Sequence, residues 1–443
     1  MRVAFHTLGC KVNQYETEAL KEAFVFRGAT IVGEDEIADV YIINTCTVTN
    51  IADRKSRQYI RRMKSLNPAA FVVVTGCYAQ VEPQELLDME EVNLVIGNGL
   101  KSEIVNKVYG ALTEDSANSQ LWKNSCVKPR DELTNYEDMG LVVSSESGMT
   151  RAYIKIQEGC DRFCAYCLIP FARGPVRSRP LDEIVKEANM LLDAGYKELV
   201  LTGINTALYG SEEGFHHDLC DVLEQLNSID KDFRIRLSSL EPTVVDKDDV
   251  TRIIKYDKLC HHLHLSVQSG SDATLKNMNR RYTQKEYLDI VRALRDFDSL
   301  YGITTDIIVG FSGETDEDFG ESLKVVEQSE FGKVHIFRYS LRRGTAGEKL
   351  PDAVSGETKS QRSDELEKVA TATALAFFEK NFGSVHRVLI EECVKIKGKE
   401  YMTGYTGNYI RVYIPVIDER AIGNFVSVRM GEPFEDGCLA ESI

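Results

Sequence analysis

Three cysteines lie within eight residues of one another, and their spacing constrains this chain more than any other feature. Cys160, Cys164 and Cys167 form a C-x3-C-x2-C motif. Three thiolates this close together can bind three irons of a 4Fe–4S cluster and leave the fourth iron without a protein ligand. Because electron-carrying clusters are normally held by four cysteines, the motif favours an iron–sulfur enzyme over an electron carrier.

A zinc site and a disulfide framework are the alternatives to a cluster. A structural zinc site needs four ligands, usually in two paired knuckles, and the chain has neither a second C-x2-C pair nor an H-x3-H motif. A disulfide framework is typical of small secreted proteins. This chain has 443 residues, and its first residues are predicted to form a strand and not a signal peptide.

The composition is that of an ordinary globular protein, with 43% hydrophobic and 28% charged residues. No apolar run approaches membrane-spanning length, so we expect no membrane partner. The 11 cysteines favour a reducing, cytoplasmic setting. A net charge of −16 argues against an indiscriminate nucleic-acid binder. Four local groups of arginines interleaved with tyrosines nevertheless indicate a specific RNA-contacting surface, although each alone fits an ordinary solvated face.

Residues 1–112 alternate between four Val/Ile-rich strands and amphipathic helices, a pattern that predicts a parallel α/β sheet. Cys10, Cys46 and Cys77 each follow one of the predicted strands. Because ligand sites in open α/β sheets gather at the carboxyl ends of the strands, these cysteines are predicted to converge on a second three-cysteine cluster. The alternative is that they are small buried hydrophobic residues.

The rest of the chain divides into three parts. Residues 113–149 are polar and are predicted to be a linker. Residues 150–379 show about six further strand–helix units, which fits an incomplete β/α barrel with its reactive groups at the carboxyl ends of the strands. Residues 380–443 contain short β-rich runs separated by glycine turns and predict a small antiparallel β-barrel.

These motifs in this order resemble the radical S-adenosylmethionine (SAM) methylthiotransferases over essentially the whole chain. The aromatic Tyr166 before the third cysteine of the motif is typical of radical SAM enzymes. In the methylthiotransferases a three-cysteine α/β domain precedes the radical SAM barrel, and an RNA-binding β-barrel, the TRAM domain, follows it.

The segment from His6 to Glu18 closely resembles the branch that modifies N6-threonylcarbamoyladenosine beside the tRNA anticodon. Lys11-Val12-Asn13 does not fit the Gln-Met-Asn of the isopentenyladenosine branch or the Pro-Lys-Asn of the ribosomal-protein branch. The chain departs from the family pattern at Ser312 and Arg338, where proline is usual.

The resemblance implies two 4Fe–4S clusters and SAM as cofactors. The cluster at Cys160, Cys164 and Cys167 would produce a 5′-deoxyadenosyl radical from SAM, and the cluster at the other three cysteines would hold the sulfur to be transferred. The reaction would replace the hydrogen on carbon 2 of the adenine with a methylthio group. The partners implied are the tRNA anticodon stem-loop, an electron donor such as flavodoxin or ferredoxin, and a sulfur donor.

Two sets of further contacts are expected. The SAM contacts are expected at Tyr166, Thr202, Gly203, Ser239, Glu241, Gln268 and Phe311. The substrate contacts are expected at Lys11, Asn13, Gln14, Arg173, Arg177, Arg342, Arg343, Tyr405, Tyr409 and Arg411. The threonylcarbamoyl group carries a carboxylate, for which an arginine is the preferred partner. The two tyrosines and Arg411 would suit RNA by stacking and charge, with a packing or oligomerisation role as the alternative.

Other functions remain open at this point. Within the same chemistry, the substrate is alternatively a different tRNA base, such as isopentenyladenosine, or a ribosomal protein. In another class, the chain would be a non-catalytic RNA-binding protein stabilised by zinc in one or both triads. Iron and acid-labile sulfide would separate two clusters from zinc.

Overall fold

The computed structural model describes residues 1–114, 122–140, 150–242, 247–351, 354–416 and 421–443. Its N-terminal unit is a six-stranded parallel sheet with strand order β2–β1–β3–β4–β5–β6. The elements of this unit are β1 (Arg2–Thr7), α1 (Lys11–Phe26), β2 (Thr30–Val32), β3 (Val40–Thr45), α2 (Asn50–Leu66), β4 (Phe71–Gly76), α3 (Cys77–Val81), α4 (Pro83–Leu87), β5 (Leu94–Ile96), α5 (Ile104–Glu114) and β6 (Asn124–Cys126).

The sheet is buried on both faces, which explains its unbroken apolar strands. Val40 and Ile42 of β3 pack into the hydrophobic cluster on one face, whereas Tyr41 and Ile43 pack into the cluster on the other. Helices cover both faces, as parallel strands with crossover connections require. A ligand site on this sheet would therefore lie at the carboxyl edge of the strands and not on a face.

Two strands of this sheet differ from the sequence prediction. Strands β2 and β6 have three residues each, and neither is among the four predicted strands. Strand β6 lies inside the segment predicted as a linker and pairs with β5, so part of that segment completes the N-terminal sheet. Strand β6 (Asn-Ser-Cys) has no apolar run and β2 (Thr-Ile-Val) only a partial one, whereas the equally short β5 is Leu-Val-Ile throughout.

The central unit is an open half-barrel of parallel strands. Two three-stranded sheets, β11–β10–β7 and β12–β13–β14, are joined by parallel bridges, one of which links Leu240 to Leu265. The elements are β7 (Arg151–Lys155), β8 (Gln157–Glu158), α6 (Ile169–Arg173), β9 (Arg177–Ser178), α7 (Leu181–Asp193), β10 (Glu198–Thr202), α8 (Leu219–Asn227), β11 (Arg234–Leu237), α9 (Lys247–Ile253), β12 (His262–His264), α10 (Asp272–Asn277), α11 (Gln284–Phe297), β13 (Gly302–Val309), α12 (Asp316–Ser329), β14 (Lys333–Arg338) and α13 (Gly356–Lys380). The consecutive strand order confirms the predicted incomplete β/α barrel.

The C-terminal unit is a closed five-stranded barrel with strand order β15–β16–β17–β19–β18. Its strands are β15 (Val385–Ile396), β16 (Lys399–Tyr405), β17 (Arg411–Pro415), β18 (Phe425–Phe434) and β19 (Gly437–Ser442). The barrel is not wholly antiparallel as predicted, because β17 and β19 pair in parallel. Strand directions cannot alternate all the way round a closed ring with an odd number of strands, so at least one parallel pair is required.

No helix within the described ranges is long and apolar enough to cross a lipid bilayer.

A loop of the C-terminal barrel closes the amino-terminal end of the half-barrel. Tyr409 stacks on His262 at 4.4 Å between ring centroids, and Tyr405 stacks on Tyr409 at 4.8 Å. Arg236 of β11 donates to the carbonyl oxygen of Thr406 at 3.1 Å. Burial, together with the charge of Arg236, lowers the pKa of His262 well below its ordinary value, so Tyr409 covers a neutral ring. We call this segment, which carries Tyr405, Thr406 and Tyr409, the plug, because it fills the space between the two domains.

Tyr409→Ala is expected to loosen the C-terminal barrel from the half-barrel. The change removes both ring contacts of the plug, and truncating a packed aromatic side chain costs about 3–5 kcal/mol. We expect a lower midpoint of thermal unfolding and faster limited proteolysis between α13 and β15. Tyr401→Ala is the matched control, because Tyr401 contacts only aromatic residues of its own barrel in the ring contacts observed. Equal proteolysis of the two variants would contradict the role of the plug.

Candidate active site

Three neighbouring strands, β1, β3 and β4, each lead to a cysteine: Cys46 and Cys77 come directly after β3 and β4, and Cys10 is the third residue after β1. Two glycines allow these strand ends to approach one another. Gly76 has a φ of +97°, and a Cβ atom there would lie 2.3 Å from the carbonyl oxygen of Thr45. A Cβ at Gly9 would lie 3.3 Å from the sulfur of Cys46. The sequence prediction that three separate loops bring these cysteines to one edge of the sheet therefore agrees with the backbone.

The thiols of this N-terminal triad are close enough to influence one another. Burial, followed by the neighbouring thiols of Cys77 and Cys10, raises the pKa of Cys46 to about 12. Burial is the main reason, and repulsion between thiolates the second, that these thiols hold their protons until a metal replaces them.

The C-x3-C-x2-C triad occupies the loop between β8 and α6. The amide of Cys167 donates to the carbonyl of Cys164 at 2.9 Å, and the amide of Cys160 donates to Gly174 at 3.0 Å, so the loop folds back on itself. Burial and the nearby Cys164 thiol raise the pKa of Cys160 to about 12. This loop lies at the carboxyl end of the half-barrel, where reactive groups of β/α barrels gather.

Both triads fit a cluster better than a single metal ion. Within the described ranges, no three His, Cys, Asp or Glu side chains are grouped to hold one ion. A 4Fe–4S cluster does not require such grouping, since each cysteine binds a different iron. Each triad offers three sulfur donors, and a coordinated thiol is deprotonated whatever its pKa in the free protein.

The sulfur atoms also receive N–H donors. The amide of Ile169 lies 3.5 Å from the sulfur of Cys167. Cys77 and Cys164 each face an arginine instead, with Arg173 Nε 3.3 Å from Cys77 Sγ and Arg280 Nη1 3.3 Å from Cys164 Sγ. Donors of this kind stabilise the negative charge that a cluster brings.

A buried network of charges joins the two triads across the domain boundary. Arg173, which follows the C-x3-C-x2-C loop, contacts Glu16 of α1 and donates to Glu158 at 2.7 Å. Lys101 and Lys155 also pair with these two glutamates. All five side chains are at most 1% exposed. Burial alone would raise the pKa of Glu16, but Arg173, Lys101 and Lys155 hold it at about 2. The network fixes one cysteine loop relative to the other.

A second contact ties the Cys46 loop to the half-barrel. Arg342, which follows β14, donates to Asp53 and to Thr47, each at 2.6 Å, and also contacts Asn50. Asn50 in turn donates to Ser340 at 3.1 Å. Because these residues follow Cys46 closely in the chain, the contact holds that cysteine's loop over the open end of the half-barrel.

Between the two triads lies a cavity of about 200 Å³. Thr47 and Val48, which follow Cys46, form one wall, and Tyr166 and Cys167 form another. Arg338 also lines it, together with Asp306 and Phe337. A molecule held in this cavity would lie next to both cysteine loops.

The predicted SAM residues share the carboxyl edge of the half-barrel. Six of them lie at or after the ends of β10, β11, β12 and β13, and Tyr166, in the loop after β8, packs edge-on against Phe311 at 6.4 Å. Glu241 accepts a hydrogen bond from Asn205 at 2.8 Å and lies 3.4 Å from Arg280. The main chain of Gln268 has a φ of +66° and pairs with β13. A role for these residues in binding SAM stays a prediction, consistent with their common location.

Several predicted substrate residues are instead engaged within the protein. Arg173, Arg177 and Arg342 are buried, and Arg177 donates to the carbonyl of Leu133 at 2.6 Å. Tyr405 and Tyr409 belong to the plug, which does not favour the predicted stacking on RNA. Arg411 pairs with Glu392 at 3.1 Å. Arg173 and Arg342 are buried by contacts between domains, which a local pattern does not reveal.

The remaining substrate predictions fall near the N-terminal triad or the cavity. Asn13 is buried and donates to the carbonyls of Leu8 and Thr45, so it joins two cysteine loops. Gln14 and Arg343 are exposed. Lys11 is half-buried, and burial followed by the charge of Arg236 lowers its pKa to about 8.

The sequence analysis missed several residues of the site, among them Glu16, Lys101, Glu158 and Asp306. Glu16 falls on the buried face of α1, and a charged residue at a core position of a helical pattern was the available signal. Asp306 lies in the apolar strand β13 and accepts from His264 at 3.0 Å and from Ser266 at 2.8 Å. Lys101 and Glu158 gave no signal in the sequence.

Two family models match the chain. Residues 2–97 match the family described as uncharacterized protein family UPF0004, and residues 154–326 match the radical SAM superfamily. The first match spans the N-terminal triad, and the second spans the C-x3-C-x2-C triad with most of the half-barrel.

Curated relatives extend over nearly the full chain. Threonylcarbamoyladenosine tRNA methylthiotransferase MtaB of Bacillus subtilis is 38% identical over 440 residues, which is 98% of this chain and 95% of the relative. The protein of the same name from Aquifex aeolicus is 38% identical, over 94% of this chain and all of the relative. Among solved structures, the radical SAM methyltransferase TsrM of Kitasatospora setae has a TM-score of 0.57 at 14% identity, covering 76% of this chain and 72% of its own. That structural likeness concerns the fold.

Proposed function

This chain belongs to the radical SAM methylthiotransferases, in the MtaB group, and on that basis we propose that it converts N6-threonylcarbamoyladenosine in tRNA to its 2-methylthio derivative. The observation that carries the proposal is the cavity between the two cysteine triads. Sulfur insertion at an unactivated carbon needs hydrogen removal and sulfur delivery at the same atom. One cavity walled by the Cys46 loop and by the C-x3-C-x2-C loop suits both operations.

Six cysteines would hold the two clusters: Cys10, Cys46 and Cys77 in the N-terminal domain, and Cys160, Cys164 and Cys167 in the half-barrel. When bound, the clusters supply reductive cleavage of SAM and the sulfur for transfer. The residues of the protein hold the two cysteine loops in position. Arg173 and its buried partners hold the two loops in register, and Arg342 holds the Cys46 loop over the cavity.

The walls of the cavity would shield a reactive centre from water. Ile308 and Phe337 present apolar surface, and Tyr166 packs against Phe311 behind the C-x3-C-x2-C loop. Asp306 is held by His264 and Ser266, which orients its carboxylate within the lining. This fixed carboxylate would accept a hydrogen bond from a base or ribose in the cavity.

The threonylcarbamoyl carboxylate requires a cation, and Arg338 is the arginine that we propose for this role. Arg338 lines the cavity and donates one long hydrogen bond, 3.4 Å, to Ser360. Of the three cations first expected in this role, Arg177 and Arg342 already pair with protein groups, and Arg343 is exposed and does not line the cavity. We therefore assign the carboxylate to Arg338, although the family pattern usually has proline at this position.

Arg338→Gln is expected to raise the KM for the threonylcarbamoylated tRNA about 10- to 100-fold, because a hydrogen bond to a charged group contributes about 1.5–3 kcal/mol. Steady-state assays with purified tRNA measure this. Arg343→Gln is the matched control, since Arg343 is exposed nearby but does not line the cavity. A KM unchanged in Arg338→Gln, or raised equally in both variants, would exclude the assignment.

The decisive test of the proposed function offers the holoenzyme two tRNAs in parallel, one threonylcarbamoylated and one isopentenylated, with SAM, reductant and sulfide. Mass spectrometry of the nucleosides should show methylthiolation of the first only. Modification of the isopentenylated tRNA alone, or of a ribosomal protein alone, would contradict the proposed substrate but not the proposed radical chemistry. Zinc without iron or sulfide in the purified protein would contradict the enzyme function altogether.

The remaining partners follow from this chemistry. The proposal includes an electron donor such as flavodoxin or ferredoxin, a sulfur donor, and a cytoplasmic location. It also includes a TRAM role for the C-terminal barrel, residues 380–443, in binding the tRNA anticodon stem-loop. Since the plug occupies Tyr405 and Tyr409, RNA would meet other surfaces of this barrel.

A further inference from the structure

One arginine in each triad donates to a single cysteine sulfur, and the two contacts match. Arg173 Nε lies 3.3 Å from Cys77 Sγ, and Arg280 Nη1 lies 3.3 Å from Cys164 Sγ. The two arginines come from different parts of the chain, Arg173 at the end of α6 and Arg280 after α10. Cys46, by contrast, accepts a hydrogen bond from the backbone of Val48. The arginine contacts therefore single out one ligand in each cluster.

Neither arginine lines the cavity between the triads. Both side chains are buried, with 0% exposure for Arg173 and 7% for Arg280. Neither arginine would touch a molecule in this cavity, and each faces a cysteine sulfur. Because water is excluded around them, their charge acts on the sulfur with little screening.

An N–H donor to a ligand sulfur changes the reduction potential of a cluster. Reduction adds one negative charge, and a hydrogen bond from a cation stabilises the reduced form more than the oxidised form. The potential therefore rises when the donor is present and falls when it is removed. Net charge around the cluster acts in the same direction.

The charges around the two arginines differ. Arg173 lies between two carboxylates, Glu16 and Glu158, which are shared with Lys101 and Lys155. Arg280 lies 3.4 Å from one carboxylate, Glu241, and donates to the hydroxyl of Tyr282 at 3.2 Å. The two sites share none of these partners, so a change at one arginine leaves the immediate contacts of the other in place.

We propose that Arg173 and Arg280 set the reduction potentials of the two clusters separately, each through the sulfur that it contacts. Arg280 acts on the cluster at Cys160, Cys164 and Cys167, and Arg173 acts on the cluster at Cys10, Cys46 and Cys77. Both are positioning residues. The inference rests on the two clusters of the proposed function, and it adds the means by which one protein gives them different potentials.

The test measures the midpoint potential of each cluster in reconstituted holoprotein. Arg173→Lys and Arg280→Lys keep a positive charge but remove the donor atom at its present position. Each substitution is made in full-length protein in two backgrounds. In one background the cysteines of the N-terminal triad are replaced by alanine, and in the other those of the C-x3-C-x2-C triad are replaced. Each spectrum then reports one cluster. Redox titrations followed by electron paramagnetic resonance give the potentials. Arg252→Lys is the control, since Arg252 is exposed and pairs with Asp218.

We expect Arg173→Lys to move only the potential of the N-terminal cluster to a more negative value, and Arg280→Lys to move only that of the other. Unchanged potentials, or equal shifts of both clusters in either variant, would overturn the inference. Because Arg173 is fully buried, a double variant, Arg173→Gln with Glu16→Gln, gives the same comparison without an uncompensated carboxylate. Wild-type protein without two iron–sulfur clusters would reject the proposed function, whereas two intact clusters with unmoved potentials would reject only this inference.

Discussion

Cys164→Ala protein is expected to produce no 5′-deoxyadenosine, whereas Cys46→Ala protein is expected to keep producing it and to make no methylthiolated tRNA. The reason is that the two residues belong to triads in separate domains. Cys164 lies between β8 and α6, whereas Cys46 follows β3. Loss of one ligand removes the cluster of that triad, and the other triad keeps its own backbone. High-performance liquid chromatography of SAM products and mass spectrometry of nucleosides measure the two activities.

Cys220→Ala is the control for cysteine replacement, because Cys220 lies in α8, away from both triads. It should retain both activities. The separation of roles would be wrong if Cys46→Ala protein retained the iron of its C-x3-C-x2-C cluster and still failed to cleave SAM. Iron analysis of each variant is therefore part of the measurement.

Glu16→Gln is expected to destabilise the protein by about 3–5 kcal/mol, the range for removing one partner from a buried ion pair. Glu16 contacts both Arg173 and Lys101, and all three side chains are at most 1% exposed. The variant leaves two buried cations with fewer carboxylates. Anaerobic urea denaturation measures the loss. Glu103→Gln is the control, because the Glu103 side chain is 49% exposed and its pair with Lys107 contributes only about 0.3–0.5 kcal/mol.

The same network predicts how stability depends on pH. The pKa of Glu16 is held at about 2, below its ordinary value of 4.5, so its contribution is fully present above pH 4.5. The contribution is lost as the pH falls from 4.5 towards 2, because the carboxylate then takes up a proton that the folded state disfavours. Wild-type and Glu16→Gln apoprotein should converge in stability over this interval. A constant difference between them would show that charge is not the cause.

The parallel strands and the place of a cysteine after each of three of them were predictable because both depend on local patterns. Apolar runs followed by turns marked β1, β3 and β4, and a cysteine followed each of them. Parallel strands place their carboxyl ends at one edge, so three cysteines far apart in the chain could be placed together. The C-x3-C-x2-C motif could be interpreted from its spacing alone, without a prediction of the fold.

The partners of the charged residues were not predictable from local patterns. Arg173 contacts Glu16, which is 157 residues away in sequence, and Arg342 contacts Asp53, which is 289 residues away. The sequence alone shows that an arginine lies near a functional loop. It does not show whether that arginine binds the substrate or pairs with another group of the protein. Burial decides between the two, and burial depends on how the domains pack.

The plug also governs the order in which the parts of the molecule can mature on the ribosome. Arg236 donates to the carbonyl of Gly407, which is made 171 residues later. At roughly 5–20 residues per second, the base of the half-barrel waits about ten to thirty seconds for its last hydrogen-bond acceptors. During that interval the nascent half-barrel presents an unsealed end to chaperones and proteases. A chain that ends before the last domain would lack the carbonyl groups to which Arg236 donates at the base of the half-barrel.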